Sequence, residues 1–247
     1  MLRSNKPVFI LPSDCVLLYT TTMKIIGHRG ARGLSPENTI KSVETAIKHG
    51  VDEVEIDVRI TKDQVVVLHH DPAVIDPNGR ELVIRQTTYA ELMRHKPDLA
   101  ALDHVIRSTA HRARIMIELK PDVPAKPVVR IIKDRLSRGW RIEEFSVASR
   151  SFSILKAMQA ELPDIELVVI ERWSGVRAAS RARRLGTKRI SMNQRWLWSG
   201  YLRAVKKSGY RLTPYTLNNP RKVRRWRPYL YGIITDRPDL FERKKRA

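Results

Sequence analysis

A chain of 247 residues, 42% of them hydrophobic and 30% charged, is long enough to bury a substantial core and excludes a disordered or fibrous protein. Its single cysteine, Cys15, excludes an intramolecular disulfide framework and a thiolate metal cluster and points to a reducing, cytoplasmic setting. The net charge of +21 is lopsided: residues 172–247 hold 22 Lys and Arg against Asp236, Asp239 and Glu242, a net of +19, so the second half suits a polyanion such as anionic lipid, nucleic acid or a phosphorylated substrate, unless it is only a solvated basic face.

Residues 1–22 place Arg3 and Lys6 ahead of an apolar run over 8–18, as a secretory leader does. Pro12, Ser13 and Asp14 interrupt that run, so the expectation is a poorly ordered extension ahead of a domain over residues 23–247. No run of about 18 apolar residues offers a membrane span. Residues 24–28 read as a short strand, and a helix is predicted from Pro36-Glu37-Asn38 to His49, with Ile40, Val43 and Ile47 at helical spacing and Gly50 as its stop. Strands over 51–60 and 65–69 are too close for a parallel crossover and must form a hairpin. A two-residue loop at Lys62-Asp63 sets Asp57 opposite Leu68 and Glu55 opposite His70; a three-residue loop shifts this by one position.

Residues 71–86, with Pro72, Pro77 and Asn78-Gly79, read as a loop or small insertion. Thr88-Tyr89-Ala90-Glu91 is a capping box, and residues 99–110 form another helix. Strands then alternate with helices. The strands fall at 114–119, 145–148, 166–170, 189–192, 211–216 and 231–235, and the helices at 127–138, 152–161, 176–185, 200–208 and 221–226. Eight strands with helical crossovers predict an α/β fold, a closed (β/α)₈ TIM barrel with a short insertion after the second-strand hairpin, although an open doubly wound sheet has the same count. In a barrel the strand ends that carry His28, Asp57, Glu118 and Asp236 share the catalytic rim.

Glu55 and Asp57 leave one face of a strand together, and with Glu118 they offer an all-oxygen site for a hard divalent cation, Mg²⁺ or Ca²⁺. Salt bridges to Arg29, Arg59 or Lys120 are the alternative reading of the same acids. His28 and His70, expected at the same rim, suit a general acid and base near neutral pH; His69 faces the other way by alternation. His49, His95, His104 and His111 read as surface or packing residues. Arg29 and Lys120 add positive charge that suits an anionic substrate. Ser35 and Cys15 lack an activating partner, and the glycines over 27–33 do not have dinucleotide-binding spacing.

These pieces carry a resemblance. Gly27-His28-Arg29-Gly30, Pro36-Glu37-Asn38-Thr39, Glu55-Ile56-Asp57-Val58 with Thr61-Lys62-Asp63, His70-Asp71-Pro72, Ile117-Glu118-Leu119-Lys120 and Gly232-Ile233-Ile234-Thr235-Asp236-Arg237-Pro238 run in the order found in the glycerophosphodiester phosphodiesterase family, within the phospholipase-C-like superfamily. The resemblance implies a barrel with one divalent cation, Mg²⁺ or Ca²⁺, on Glu55, Asp57 and Glu118. It also implies His28 and His70 as the acid/base pair, Arg29 and Lys120 on the phosphate or glycerol, and Glu37 and Asn38 in support. The glycerol 2-hydroxyl then attacks phosphorus, the alcohol leaves, and water opens the cyclic phosphate to glycerol 3-phosphate. The substrate implied is a small glycerophosphodiester. The alternatives are a lysophospholipase D activity at an anionic membrane surface met by the basic half, or a polyanion-binding barrel without catalysis; nucleic acid is not the expected partner. Two departures stand out: the insertion after His70 is short, and Tyr215-Thr216-Leu217-Asn218 has tyrosine where many relatives have tryptophan.

Overall fold

Apolar runs that are covered on both faces pair side by side in parallel, one face toward helices and the other toward a closed interior. The structure, a computed structural model, describes residues 23–241, and the N-terminal extension lies outside them. The strands are β1 (Lys24–Gly27), β2 (Glu53–Ile60), β3 (Val66–Leu68), β4 (Ala73–Ile75), β5 (Glu81–Val83), β6 (Arg114–Leu119), β7 (Phe145–Ser149), β8 (Glu166–Glu171), β9 (Arg189–Asn193), β10 (Arg211–Tyr215) and β11 (Gly232–Thr235). The helices are α1 (Ile40–Lys48), α2 (Tyr89–His95), α3 (Leu102–Thr109), α4 (Ala125–Ser137), α5 (Phe152–Glu161), α6 (Gly175–Arg184), α7 (Ser199–Lys207) and α8 (Pro220–Trp226).

Eight strands run parallel in the order β10-β9-β8-β7-β6-β2-β1-β11. The last gap is spanned by Tyr231 N–H to Leu212 O and Leu217 N–H to Ile234 O, both 2.9 Å, so the sheet is a nearly closed (β/α)₈ barrel. Period-two alternation sorts β2 cleanly: Val54, Ile56 and Val58 join the core beneath the helices, and Glu53, Glu55 and Asp57 turn inward. The interior is filled in layers. A plug of Ile26, Met116, Ala148, Val168, Ile170 and Ile234 occupies the middle. At one end Glu53 binds the fully buried Arg189, which also reaches Glu166 at 2.6 Å, an ion network whose carboxylates share one guanidinium. The other end is an acid-lined cup.

Three sequence readings shift, each for a local reason. The β2–β3 hairpin pairs Val58 with Leu68 and Ile60 with Val66, which requires a three-residue loop over 62–64, closed by Gln64 N–H to Thr61 O at 3.1 Å with Gln64 in the left-handed region (φ 63°). The register therefore moves by one from the two-residue loop, and His69, not Leu68, stands level with Asp57, its N–H on Asp57 O at 3.1 Å. Helix α1 begins after Thr39, whose hydroxyl accepts the Ser42 N–H, because Asn38 is held at φ 56°. Residues 99–101 do not start a helix, since Leu68 N–H bonds to Ala100 O at 2.8 Å and draws them alongside β3.

The insertion over 71–86 folds as its own hairpin, β4 against β5. Val74, Leu82, Ile84 and Leu92 pack with Val67 in a satellite core, and Thr88 caps α2 by accepting the Glu91 N–H, as the capping box requires.

Candidate active site

The turn after β1 delivers the first functional groups. Arg29 (φ 50°) and Gly30 (φ 83°) both take left-handed backbone, and a Cβ on residue 30 would lie 2.1 Å from Ser42 Oγ, so only glycine closes this turn. Closing it aims the Arg29 N–H at Glu55 Oε2 (2.9 Å) and the Gly30 N–H at Glu55 O (3.1 Å). His28 is thereby left at the mouth of the barrel.

Glu55, Asp57 and Glu118 offer carboxylate oxygens that all lie within 4.8 Å of one another, because β2 and β6 pair Asp57 with Glu118 in register. Asn38 clamps Asp57 twice, Nδ2 to Oδ2 at 3.0 Å and Oδ1 to the backbone N–H at 3.1 Å. Lys120 Nζ sits 2.5 Å from Asp57 Oδ1 and 2.6 Å from Glu118 Oε1, and Arg29 Nε is 3.1 Å from Asp57 Oδ2. Burial pushes Asp57 up, but the charges of Lys120 and Arg29 outweigh it and hold the carboxyl low, at about 2. Glu55 goes the other way: burial, then the charges of Asp57 and Glu118, raise it well above the usual carboxylate range.

The donor set fits a hard divalent cation. Glu55 Oε1 is buried without a hydrogen-bond partner, which is costly for a carboxylate unless a cation answers it. Three converging carboxylate oxygens, one of them otherwise unanswered, are the kind of protein ligands such an ion takes as part of its oxygen shell.

The two histidines are each backed by an acid. His28 Nδ1 is 2.6 Å from Asp236 Oδ1, and Asn218 Nδ2 donates to Asp236 Oδ2 at 2.9 Å. His70 Nδ1 is 2.7 Å from Asp71 Oδ1. A carboxylate at Nδ1 makes that nitrogen the donor and leaves Nε2 for chemistry. Both imidazoles line one cleft of about 480 Å³ together with Arg29, Glu55, Asp57, Glu118 and Lys120. His69, whose Nδ1 is 2.9 Å from Asp71 O, does not line it, in keeping with its opposite facing.

Glu37 is not one of the clustered carboxylates. It pairs with Arg29 Nη1 at 2.7 Å and with Arg32 at 3.6 Å, so it steers a guanidinium that also touches Asp57. Arg59, read from sequence only as a salt-bridge partner, donates to His70 O from Nε and Nη2 (3.2 and 2.7 Å) and pairs with Asp122 at 2.6 Å, holding the histidine's loop. Asp236 was placed at the rim by its strand end, but its hold on His28 is a tertiary contact. Arg150, Arg172, Asn193 and Tyr215 also line the cleft; apart from the aromatic ring, nothing in their local sequence marks them. His111 lies just past α3 at φ 60°, stacked 4.0 Å from Trp140, a packing residue as expected.

Residues 28–240 match the model of the glycerophosphoryl diester phosphodiesterase family. A glycerophosphodiester phosphodiesterase of Bacillus subtilis is 25% identical over 266 residues, covering 94% of this chain and 89% of that protein. Among solved structures, a glycerophosphodiester phosphodiesterase from Thermotoga maritima superposes with a TM-score of 0.74 at 24% identity, over 89% of this chain and 97% of the other. An Oleispira antarctica phosphodiesterase in complex with its product sn-glycerol-3-phosphate gives 0.76 at 21% identity, over 88% and 94%. At those identities the superpositions establish the shared barrel.

Proposed function

The chain belongs to the glycerophosphoryl diester phosphodiesterase family, and from that premise we propose that it hydrolyses glycerophosphodiesters to glycerol 3-phosphate and an alcohol, with His28 and His70 moving the protons and one divalent cation, Mg²⁺ or Ca²⁺, on Glu55, Asp57 and Glu118. The observation that carries this reading is the convergence in one cleft of two acid-backed imidazoles with three carboxylates.

The chemistry divides between the side chains. Nε2 of one histidine takes the proton of the glycerol 2-hydroxyl as its oxygen bonds to phosphorus. The other histidine gives a proton to the departing alcohol oxygen as its bond to phosphorus breaks. In the second half the roles reverse: a water loses its proton to the histidine that had acted as acid, its oxygen bonds to phosphorus, and the 2-oxygen leaves reprotonated. A bound cation supplies positive charge for the phosphoryl oxygens. Arg29 and Lys120 add charge on the same side of the cleft and hold Asp57 ionised. Asp236 and Asp71, each bonded to an Nδ1, fix the orientations of the two imidazoles.

The test is turnover of glycerophosphocholine with Mg²⁺ or Ca²⁺ added, followed as release of glycerol 3-phosphate. A folded, metal-supplied protein inactive on every glycerophosphodiester tried overturns the reading. A lysophospholipid met at a membrane surface is a second reading, favoured by exposed tryptophans on the loops that follow β8 and β9. Among the described residues no helix is long and apolar enough to cross a membrane, and the cysteine-poor composition supports a cytoplasmic setting, peripheral to any membrane.

A further inference from the structure

Three indoles stand in water on the catalytic rim. Trp173, just after β8, and Trp196 and Trp198, just after β9, are 54%, 50% and 68% exposed, and Val176, three residues on from Trp173, is 83% exposed. Large apolar side chains exposed on the loops of one rim mark an interaction surface. The Trp173 and Trp196 rings are 5.5 Å apart at 59°, and the Arg172 guanidinium lies 4.5 Å from the centre of the Trp173 ring. Arg172, next to Trp173 in the chain, and Asn193, three residues before Trp196, line the cleft, so the loops that carry the indoles border the cleft's mouth.

The face is preformed. A Cβ on residue 175 would lie 2.2 Å from the Tyr201 ring, so Gly175 lets the start of α6 close directly on α7. Tyr201 also donates to Met192 Sδ at 2.9 Å. Glu171 accepts the backbone N–H groups of Arg172 (2.9 Å) and Trp173 (3.3 Å) and pairs with Arg177 at 2.6 Å. The indoles are displayed by a braced surface.

Its charge is one-sided. Residues 172–235 contain 17 Lys and Arg and no Asp or Glu. Arg172 and Arg195 flank the indoles, and neither pairs with a carboxylate among the described residues. Aromatic rings beside unneutralised arginines, with an exposed aliphatic residue, match the headgroup layer of an anionic membrane, where indoles sit at the polar boundary and guanidiniums meet lipid phosphates. A nucleic acid would answer the charge but leave Val176 and the outer indole edges in water.

We propose that Trp173, Trp196, Trp198 and Val176, with Arg172 and Arg195, form a docking face for an anionic lipid bilayer that sets the cleft's mouth against the membrane. Lysophospholipids then enter the cleft from the surface they occupy, a consequence that rests on the phosphodiesterase reading above.

The experiment is co-sedimentation of the full chain with phosphatidylcholine vesicles containing rising fractions of phosphatidylglycerol, with tryptophan emission recorded in parallel. Trp140 and Trp226 are buried, so a shift to shorter wavelength reports this face. Binding is expected to rise with phosphatidylglycerol, fall with salt and carry the emission shift. The double variant Trp196→Ser/Trp198→Ser is expected to lose about tenfold or more in vesicle partitioning, with turnover of soluble glycerophosphocholine unchanged. Arg195→Glu, which removes no apolar surface, should weaken binding too and covers the case of a poorly folded double variant. Absence of binding to anionic vesicles, wild-type partitioning in the variants, or binding without an emission shift that a soluble polyanion displaces would each overturn the docking face. Failure to hydrolyse soluble diesters counts against the enzymatic reading alone, because partitioning is measured without substrate.

Discussion

Asp236 Oδ1 lies 2.6 Å from His28 Nδ1 although the two residues are 208 positions apart. The closeness follows from strand order: β1 and β11 are neighbours, with Gly27 level with Thr235, so the residue after each strand emerges beside the other. Asp236→Asn removes the negative partner that fixes the imidazole's orientation. Turnover of glycerophosphocholine is expected to fall about 10²-fold or more, with the thermal midpoint within a few degrees of wild type. An undiminished rate would mean that Asp236 only closes the barrel seam.

The histidine assignments separate by facing. His28→Ala and His70→Ala should each lower turnover about 10²–10⁴-fold and leave the fold intact, since both stand at an open rim. His69→Ala, one position from His70 and outside the cleft, should keep most of the rate. Steady-state rates with circular dichroism on the three variants check this, and equal losses at His69 and His70 would count against the pairing.

Most of the barrel was legible in the sequence because its signals are local. Strands such as β6 read as short apolar runs, and α5 is bounded by its own cap and apolar spacing. Glu55 and Asp57 were found by the same period-two logic, since residues two apart on a strand must share a face. The sequence leaves the hairpin register open between a two- and a three-residue loop, because the choice hangs on Gln64 adopting left-handed backbone, a conformation usually left to glycine or asparagine. Arg150 and Arg172 escape notice for a different reason: they share the cleft with His28 only because β7 and β8 curve round one barrel, and nothing within a few residues of either announces that.

Glu55 carries a prediction that links metal to stability. Its Oε1 is buried and unpartnered, and its raised pKa means that the ionised form is disfavoured in the folded protein. For an acid raised on folding, the folded state binds the extra proton, so this contribution stabilises at low pH and is lost as pH rises through the folded value. Glu55→Gln keeps an acceptor for the Arg29 N–H without the charge. In chelator at neutral pH the variant should therefore melt no lower than wild type. The metal concentration giving half-maximal turnover should rise about 10-fold or more. A variant that titrates with metal like wild type removes Glu55 from the ligand set.

Glu171 carries the opposite sign. Burial pushes its carboxyl up, but Arg177 and the N–H groups of Trp173 and Arg172 outweigh it and hold it down at about 2, against 4.5 for a free side chain. For an acid depressed on folding, the unfolded chain binds the extra proton, so the contribution is fully present above the unfolded value and disappears as pH falls through the folded one. The window is thus roughly pH 5 down to 2. Glu171→Gln cannot hold Arg177 and Arg181 by charge, and at pH 7 it should lose about 1–3 kcal/mol, a drop of several degrees in thermal midpoint. The gap between variant and wild type should narrow as pH is lowered below 4, where the native side chain is itself becoming neutral. Thermal melts of both proteins from pH 3 to 8 check this; parallel curves would show that the depressed carboxyl contributes nothing. Because Glu171 also fixes the backbone that presents Trp173, the same substitution should loosen the exposed indole, read as faster amide exchange at residues 172–177 with the barrel strands unchanged.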